Sequence, residues 1–135
     1  MKPEQSPPGP QLLRIDPFNP QELLGLIPYL IGFRPAESFV LLMFSGSQLV
    51  LTARIDLPAP DSATALADYH RELAETYGVT GVLGVVFSDR FVPATELLDR
   101  WHAAWSRSEP PESGGGCVIL GAWYADGRRC WSRAP

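Results

Sequence analysis

Six consecutive apolar residues, Phe39-Val40-Leu41-Leu42-Met43-Phe44, constrain this chain more than any other feature. Successive side chains on a strand point to opposite faces. A strand made from this run has no face that can meet water without exposing a large oily patch. It must lie inside a sheet covered on both sides, and the rest of the chain must supply the covers. The stretch from Leu23 to Phe44 reads as a short apolar helix, a sharp polar turn and this strand. It is architecture rather than chemistry.

The chain is long enough for such a core. Its 135 residues make one domain, able to bury roughly two-thirds of its unfolded surface without metals or staples. Apolar residues at 45% and charged ones at 19% mark it as globular rather than disordered. A net charge of −4 argues against a nucleic-acid or anionic-membrane surface, since phosphate binding needs excess cations. MKPEQSPPGP lacks the apolar core of a signal peptide, and no apolar run approaches the ~20 residues that span a bilayer. With two cysteines, this reading expects reduced thiols and a cytoplasmic location.

In chain order, residues 1–11 read as a disordered Pro-rich arm and residues 12–135 as a single domain. Asn19-Pro20-Gln21-Glu22 is a capping-box start for the first helix, which Pro28 either kinks or breaks. Gly32 stops it. The central strand, about Glu37 to Phe44, turns at Ser45-Gly46-Ser47 into a second strand, Gln48 to Leu57. Alternation there places Leu49, Leu51, Ala53, Ile55 and Leu57 on one face. Asp61 or Ser62 caps a helix to Tyr77 with Leu66, Tyr69, Leu73 and Tyr77 as its buried stripe. Val82 to Phe87 is another interior strand, and Pro93 opens a third helix with Leu97, Leu98, Trp101, Ala104 and Trp105 at helical spacing. A flexible loop at 107–116 precedes a hairpin of Cys117–Tyr124 and Arg128–Arg133 around Asp126-Gly127. The expectation is an α/β fold: a mixed five-stranded sheet with helices on its faces. Placing the apolar strands inside gives the order second, first, third, fourth, fifth.

Four stretches carry a resemblance to a known family. PYLIGFRPAESFVLL (28–42) and LTARIDLP (51–58) resemble the opening of the actinobacterial family named domain of unknown function 4192. VLGVVFSD (82–89) and RRCWS (128–132) resemble that family's later strand and aromatic-rich end. Its members are usually longer, so the chain resembles their first half. The resemblance implies the fold and the domain boundary, and it implies no activity, cofactor or partner.

The expected topology collects polar residues on one rim. If the third and fourth strands run parallel to the second, their carboxyl ends lie where the first strand begins. Open α/β sheets bind ligands outside such ends. Arg34, Ser38, Arg54, Asp56 and Asp89 are therefore the candidate ligand-binding residues, with Glu37, Ser88, Arg90, Asp126 and Arg128 on the same rim. The alternative is a hydrated edge, with Ser38 and Asp89 bonding backbone amides and Arg54 paired with Asp56 or Glu37. His70 reads as a partly buried histidine with a backbone partner. Two histidines and two cysteines on separate elements, without CxxC or HxxxH spacing, predict no metal site and no cofactor. No G-x-S-x-G elbow is present, and Gly114-Gly115-Gly116 precedes a strand instead of opening a helix, so it is no phosphate cradle.

Trp123 and Trp131, with Arg128 and Arg129, are candidate partner-binding residues on the last hairpin. A two-residue turn at Asp126-Gly127 sets Ala125 opposite Arg128 and Cys130 opposite Trp123. Cys117 then lies on the order of 20 Å from Cys130, too far for a disulfide. The function expected is a non-catalytic module that binds another protein or itself through the C-terminal edge strand. The competing expectation is a small-molecule or nucleotide-binding enzyme using the polar rim.

Overall fold

A computed structural model describes residues 20–108, 117–126 and 130–132. Helix α1 (Pro20–Ile31) leads into strands β1 (Ser38–Ser45) and β2 (Gln48–Asp56). A 3-10 turn (Pro60–Ser62) and helix α2 (Ala63–Thr76) follow, then β3 (Gly81–Phe87), α3 (Phe91–Ser108), β4 (Val118–Ala125) and β5 (Cys130–Ser132). The arm at 1–11 lies outside the described residues, as do Asn19 and the loop beyond Ser108. Arg107 and Ser108 themselves complete α3 rather than opening that loop.

The five strands form one mixed sheet in the order β2-β1-β3-β4-β5. β1 is antiparallel to both β2 and β3, β3 and β4 are parallel, and β5 returns antiparallel to β4. Every apolar residue from Phe39 to Phe44 is buried. Phe39, Leu41 and Met43 face a cluster with Leu66 and Ala67 of α2 and Leu97, Leu98, Trp101 and Trp105 of α3. Val40, Leu42 and Phe44 face the opposite cluster, which contains Ile27 of α1 with Leu26, Leu30 and Ile31 packed against it. Each such side chain contributes about 1.5–3 kcal/mol of burial, which is why a run with no polar face takes a central place.

Local geometry departs from simple counting in several places. Val50 is an extra residue in β2, so Met43 pairs with Leu51 and Phe44 with Leu49. This bulge turns Leu49 onto the α1 face, while Leu51, Ala53, Ile55 and Leu57 pack on the other. The five do not share one face. Pro28 neither breaks nor ends α1; it sits in the last turn, and its carbonyl still accepts from the Gly32 amide at 2.9 Å. Ser62 precedes α2 without a side-chain cap, the 3-10 turn supplying the entry instead. On α2 the buried residues are Ala63, Leu66, Ala67, His70 and Ala74, whereas Tyr69 and Tyr77 are exposed. Small alanines let α2 approach its neighbours closely, and the tyrosines fall outside that contact.

α3 begins at Phe91, two residues before Pro93, because a first-turn proline gives up an amide that has no helical partner anyway. In β3, Gly84 makes space for a ring. A Cβ there would lie 3.0 Å from two carbons of the Trp101 indole. In the last hairpin Ala125 pairs with Cys130 and Tyr124 with Trp131, so four residues, not two, close the turn. Cys130 therefore stands eight positions from Cys117 along the ladder, still beyond disulfide reach.

Candidate functional site

β1 and β5 begin where β2, β3 and β4 end, so one rim of the sheet gathers three carboxyl ends and two amino ends. Glu37, just before β1, is the residue that joins them. It holds a left-handed backbone with φ 46°, unusual for a side chain other than glycine. Its carbonyl accepts the Leu57 amide at 2.8 Å, fastening the end of β2. Its carboxylate accepts Ser88 Oγ at 3.0 and 2.9 Å, the Asp89 amide at 3.3 Å and Arg90 Nη2 at 3.3 Å. Ser88 in turn donates its amide to the Ala125 carbonyl at 3.0 Å, linking β3 to β4, and its hydroxyl accepts the Arg90 amide at 3.0 Å. Partial burial alone would push the Glu37 carboxyl up. The donors from Ser88, Asp89 and Arg90 outweigh it and hold the group below the usual carboxylate range.

Beside this clamp lies a half-open cavity of about 350 Å³. Pro35, Ala36, Phe87 and Ala125 give it apolar walls, and Glu37, Ser88, Asp89 and Asp126 a polar rim. That is the low end of small-molecule sites. Of the five residues expected to bind a ligand, only Asp89 lines it. Ser38 and Arg54 come together away from the cavity lining: Ser38 Oγ donates to the Ala36 carbonyl at 2.9 Å and accepts Arg54 Nε at 3.0 Å. Arg54 also pairs with Asp56 at 2.8 Å and lies over the Phe33 ring. Arg34 is exposed on the turn before β1. The hydrated-edge alternative thus describes Arg54 and Asp56 correctly, while Ser88 performs the turn role assigned to Asp89.

The hairpin candidates separate. Trp123 is 6% exposed and packs in the α1-facing cluster, which withdraws its ring from any partner. Trp131 is 39% exposed and stacks on Tyr124 with centroids 5.3 Å apart. Tyr124 also meets Phe91 edge to face at 5.3 Å. Phe91, Tyr124 and Trp131 therefore form an aromatic row, with Tyr124 on the face of β4 opposite the cavity-lining Ala125. Burial pushes the Tyr124 phenol up, and the charges of Asp126, Asp89 and Glu37 push it further. Arg128 and Arg129 lie outside the described residues. The missed residues are Glu37 as the clamp and Phe91 as the start of the row; a lone apolar pair before Pro93 was the available signal for the second.

The chemistry open to this rim is limited. Both buried serines have engaged hydroxyls, and His70, on the far helix, accepts Trp101 Nε1 at 3.0 Å through Nδ1. Its partner is thus a side chain and not the backbone. Among the described residues, no three His, Cys, Asp or Glu side chains converge on a metal-sized point. None of the described helices is long and apolar enough to cross a membrane.

Searches of the curated proteins and of the solved structures find no match. The family model described as a domain of unknown function (DUF4192) matches residues 20–134, from the first residue of α1 to beyond β5. The chain belongs to that family.

Proposed function

We propose that this domain is a non-catalytic binding module in the cytoplasm of an actinobacterium, a short member of its family. It takes another protein, or a second copy of itself, at the β4–β5 end of the sheet. It needs no metal or cofactor and engages neither nucleic acid nor membrane. The observation that carries this reading is the aromatic row, in which Phe91 and Trp131 stay partly exposed on either side of buried Tyr124. Exposed aromatics of this kind anchor partners at small entropic cost. The separation of Cys117 and Cys130 beyond disulfide reach fits a reducing compartment.

The second reading, a small-molecule or nucleotide-binding enzyme, draws on the cavity itself. Against its nucleotide form stands the Glu37 carboxylate. It already occupies the Asp89 amide at the entry to α3, where a phosphate would have to dock. The test is capture from the native cell by the tagged full chain, compared with a Phe91→Ala, Trp131→Ala variant, together with sedimentation of the purified chain. Expected are a defined partner or a dimer, lost in the variant while its melting temperature holds. An unchanged partner set, or a metabolite that co-purifies with both proteins, would overturn it.

A further inference from the structure

We infer that two copies of this chain join edge to edge through β2, continuing the sheet across a two-fold axis and packing their α2 helices together above it. This surface lies at the opposite edge of the sheet from β4–β5. β2 is an outermost strand, with β1 on one side only. Leu57 sends its amide to the Glu37 carbonyl, so along the ladder Ile55, Ala53 and Leu51 also turn their backbone groups toward β1. Thr52, Arg54 and Asp56 turn theirs outward, and among the described residues nothing bonds those amides and carbonyls. The edge is undefended. From Leu51 to Leu57 it holds no lysine or proline, and its only charges, Arg54 and Asp56, pair with each other at 2.8 Å. The Val50 bulge and Pro58 mark its limits.

The helix above this edge is the second, independent observation. Arg71 of α2 donates to the Trp105 carbonyl and lies over the Trp105 ring, so that flank of α2 meets α3. At about 100° per residue, Tyr69 and Leu73 fall about 160° round the helix from Arg71. Tyr77, just past the helix end, continues their flank. Tyr69 is 50% exposed and Tyr77 53%, while Leu73 packs against the same cluster as Leu51, Ala53 and Ile55 of β2. This uncharged flank therefore overhangs β2, and Asp68, Glu72 and Glu75 are exposed on the outer face of the helix instead.

A second copy is the occupant these features fit. Antiparallel pairing of one strand with its copy sets the two-fold axis perpendicular to the sheet. Both α2 helices then lie on the same face with identical flanks opposed. A bare peptide strand would complete the edge and leave Tyr69, Leu73 and Tyr77 uncovered. Only outward-facing residues can exchange hydrogen bonds, which restricts the register. With Ala53 opposite its own copy, Thr52 bonds Arg54 of the second chain, Leu51 meets Ile55, and no like charges stand directly opposite. Four half-exposed tyrosines offer roughly 100 Å² each, about a third of the ~1,200 Å² of a specific interface before the strands are added.

Sedimentation equilibrium of the purified full chain from micromolar to millimolar concentration, with amide hydrogen exchange over the same series, is the experiment. Expected is a reversible dimer in which the Thr52 and Arg54 amides gain protection, while the Ala53 amide is protected at every concentration. Thr52→Pro removes an amide that β1 does not use, and Tyr69→Glu with Tyr77→Glu sets like charges on both flanks. Each should weaken the dimer about tenfold or more while the melting temperature of the dilute monomer holds. If the proline variant misfolds, the glutamate pair decides. Ala53→Cys should oxidise to a covalent dimer and Ile55→Cys should not, because only Ala53 stands on the axis, where opposed Cα atoms approach to about 4.5 Å. A chain that stays monomeric throughout overturns the proposal, as does a dimer that both variants leave intact. A dimer lost in the Phe91→Ala, Trp131→Ala variant and kept in these two belongs to β4–β5, and also overturns it. If the purified chain is monomeric while a captured protein is lost in Thr52→Pro, the edge takes a foreign strand and the second copy is wrong.

Discussion

Acid should unfold this protein partly through one histidine. His70 is 1% exposed, enclosed by the rings of Phe39, Tyr69 and Trp101, and its Nδ1 accepts the Trp101 indole N–H. Accepting that bond requires the neutral ring, and burial lowers the pKa from 6.5 to about 4. The unfolded ring takes up its proton near 6.5; the folded ring resists until about 4. Between those values the unfolded state binds more protons, so stability falls as pH drops. The contribution is fully present above about 6.5 and gone below about 4. At about 1.4 kcal/mol per pH unit across that window, the loss is roughly 3 kcal/mol, a large share of a typical 5–15 kcal/mol.

Carboxylates complicate the raw curve. Glu37, held below its ordinary range, contributes stability above about 4.5 that is also lost as pH falls. The comparison is therefore urea unfolding from pH 7 to 4 for the wild type against His70→Gln. The Gln oxygen can accept the indole N–H but does not titrate. The wild type should lose roughly 3 kcal/mol more than the variant over this range. Parallel curves would refute the assignment of a buried neutral imidazole.

Leu41→Asp and Leu42→Asp point into opposite clusters, and each should abolish soluble expression by burying an unpaired carboxylate; normal folding of either would mean one face is open. Gly84→Ala should lower stability by about 1–3 kcal/mol in urea titrations, since its methyl meets the Trp101 ring at 3.0 Å. Thermal melts of Arg54→Ala and Asp56→Ala should be unequal. The aspartate side chain is 91% exposed and its loss should cost about 0–1 kcal/mol. The arginine also holds buried Ser38 and covers Phe33, and its loss should cost about 1–2 kcal/mol. Glu37→Ala should be less stable than Glu37→Gly by about 1 kcal/mol, because only glycine relieves the left-handed backbone while both lose the clamp.

What could be read in the chain was whatever burial alone decides. Phe39–Phe44 has no polar face, and Val82–Phe87 has none either, so both had to be interior and the sheet order followed. Alternation could not reveal the Val50 bulge, because an extra residue leaves no mark of its own type and shifts only Leu49 to the other face. The α2 stripe misled because hydrophobic size favoured Tyr69 and Tyr77, whereas close helix contact favoured Ala67 and Ala74. The rim was legible as a place, but not its wiring. Glutamate carries no preference for a left-handed backbone, so nothing identified Glu37 as the residue that joins three strand ends. Ser38, Arg54 and Asp56 satisfy one another, and the cavity opens on Asp89 and Asp126 instead.

The strand order also sets a sequence of events in time. β1 and β2 meet across only Gly46 and Ser47, and Gly46 adopts the positive φ of 63° that so tight a turn demands. Their pairing needs almost no loop closure. β3 must reach β1 across α2, and β4 must reach β3 across the whole of α3 and the segment after it. Closure entropy places the parallel β3–β4 ladder last. Until it forms, a chain just leaving the ribosome presents Gly81–Phe87, wholly buried in the finished protein, as a bare apolar edge open to other chains. The cavity draws its walls from before β1, after β3 and after β4, so it does not exist before that moment. The step that hides this edge is also the step that completes the cavity.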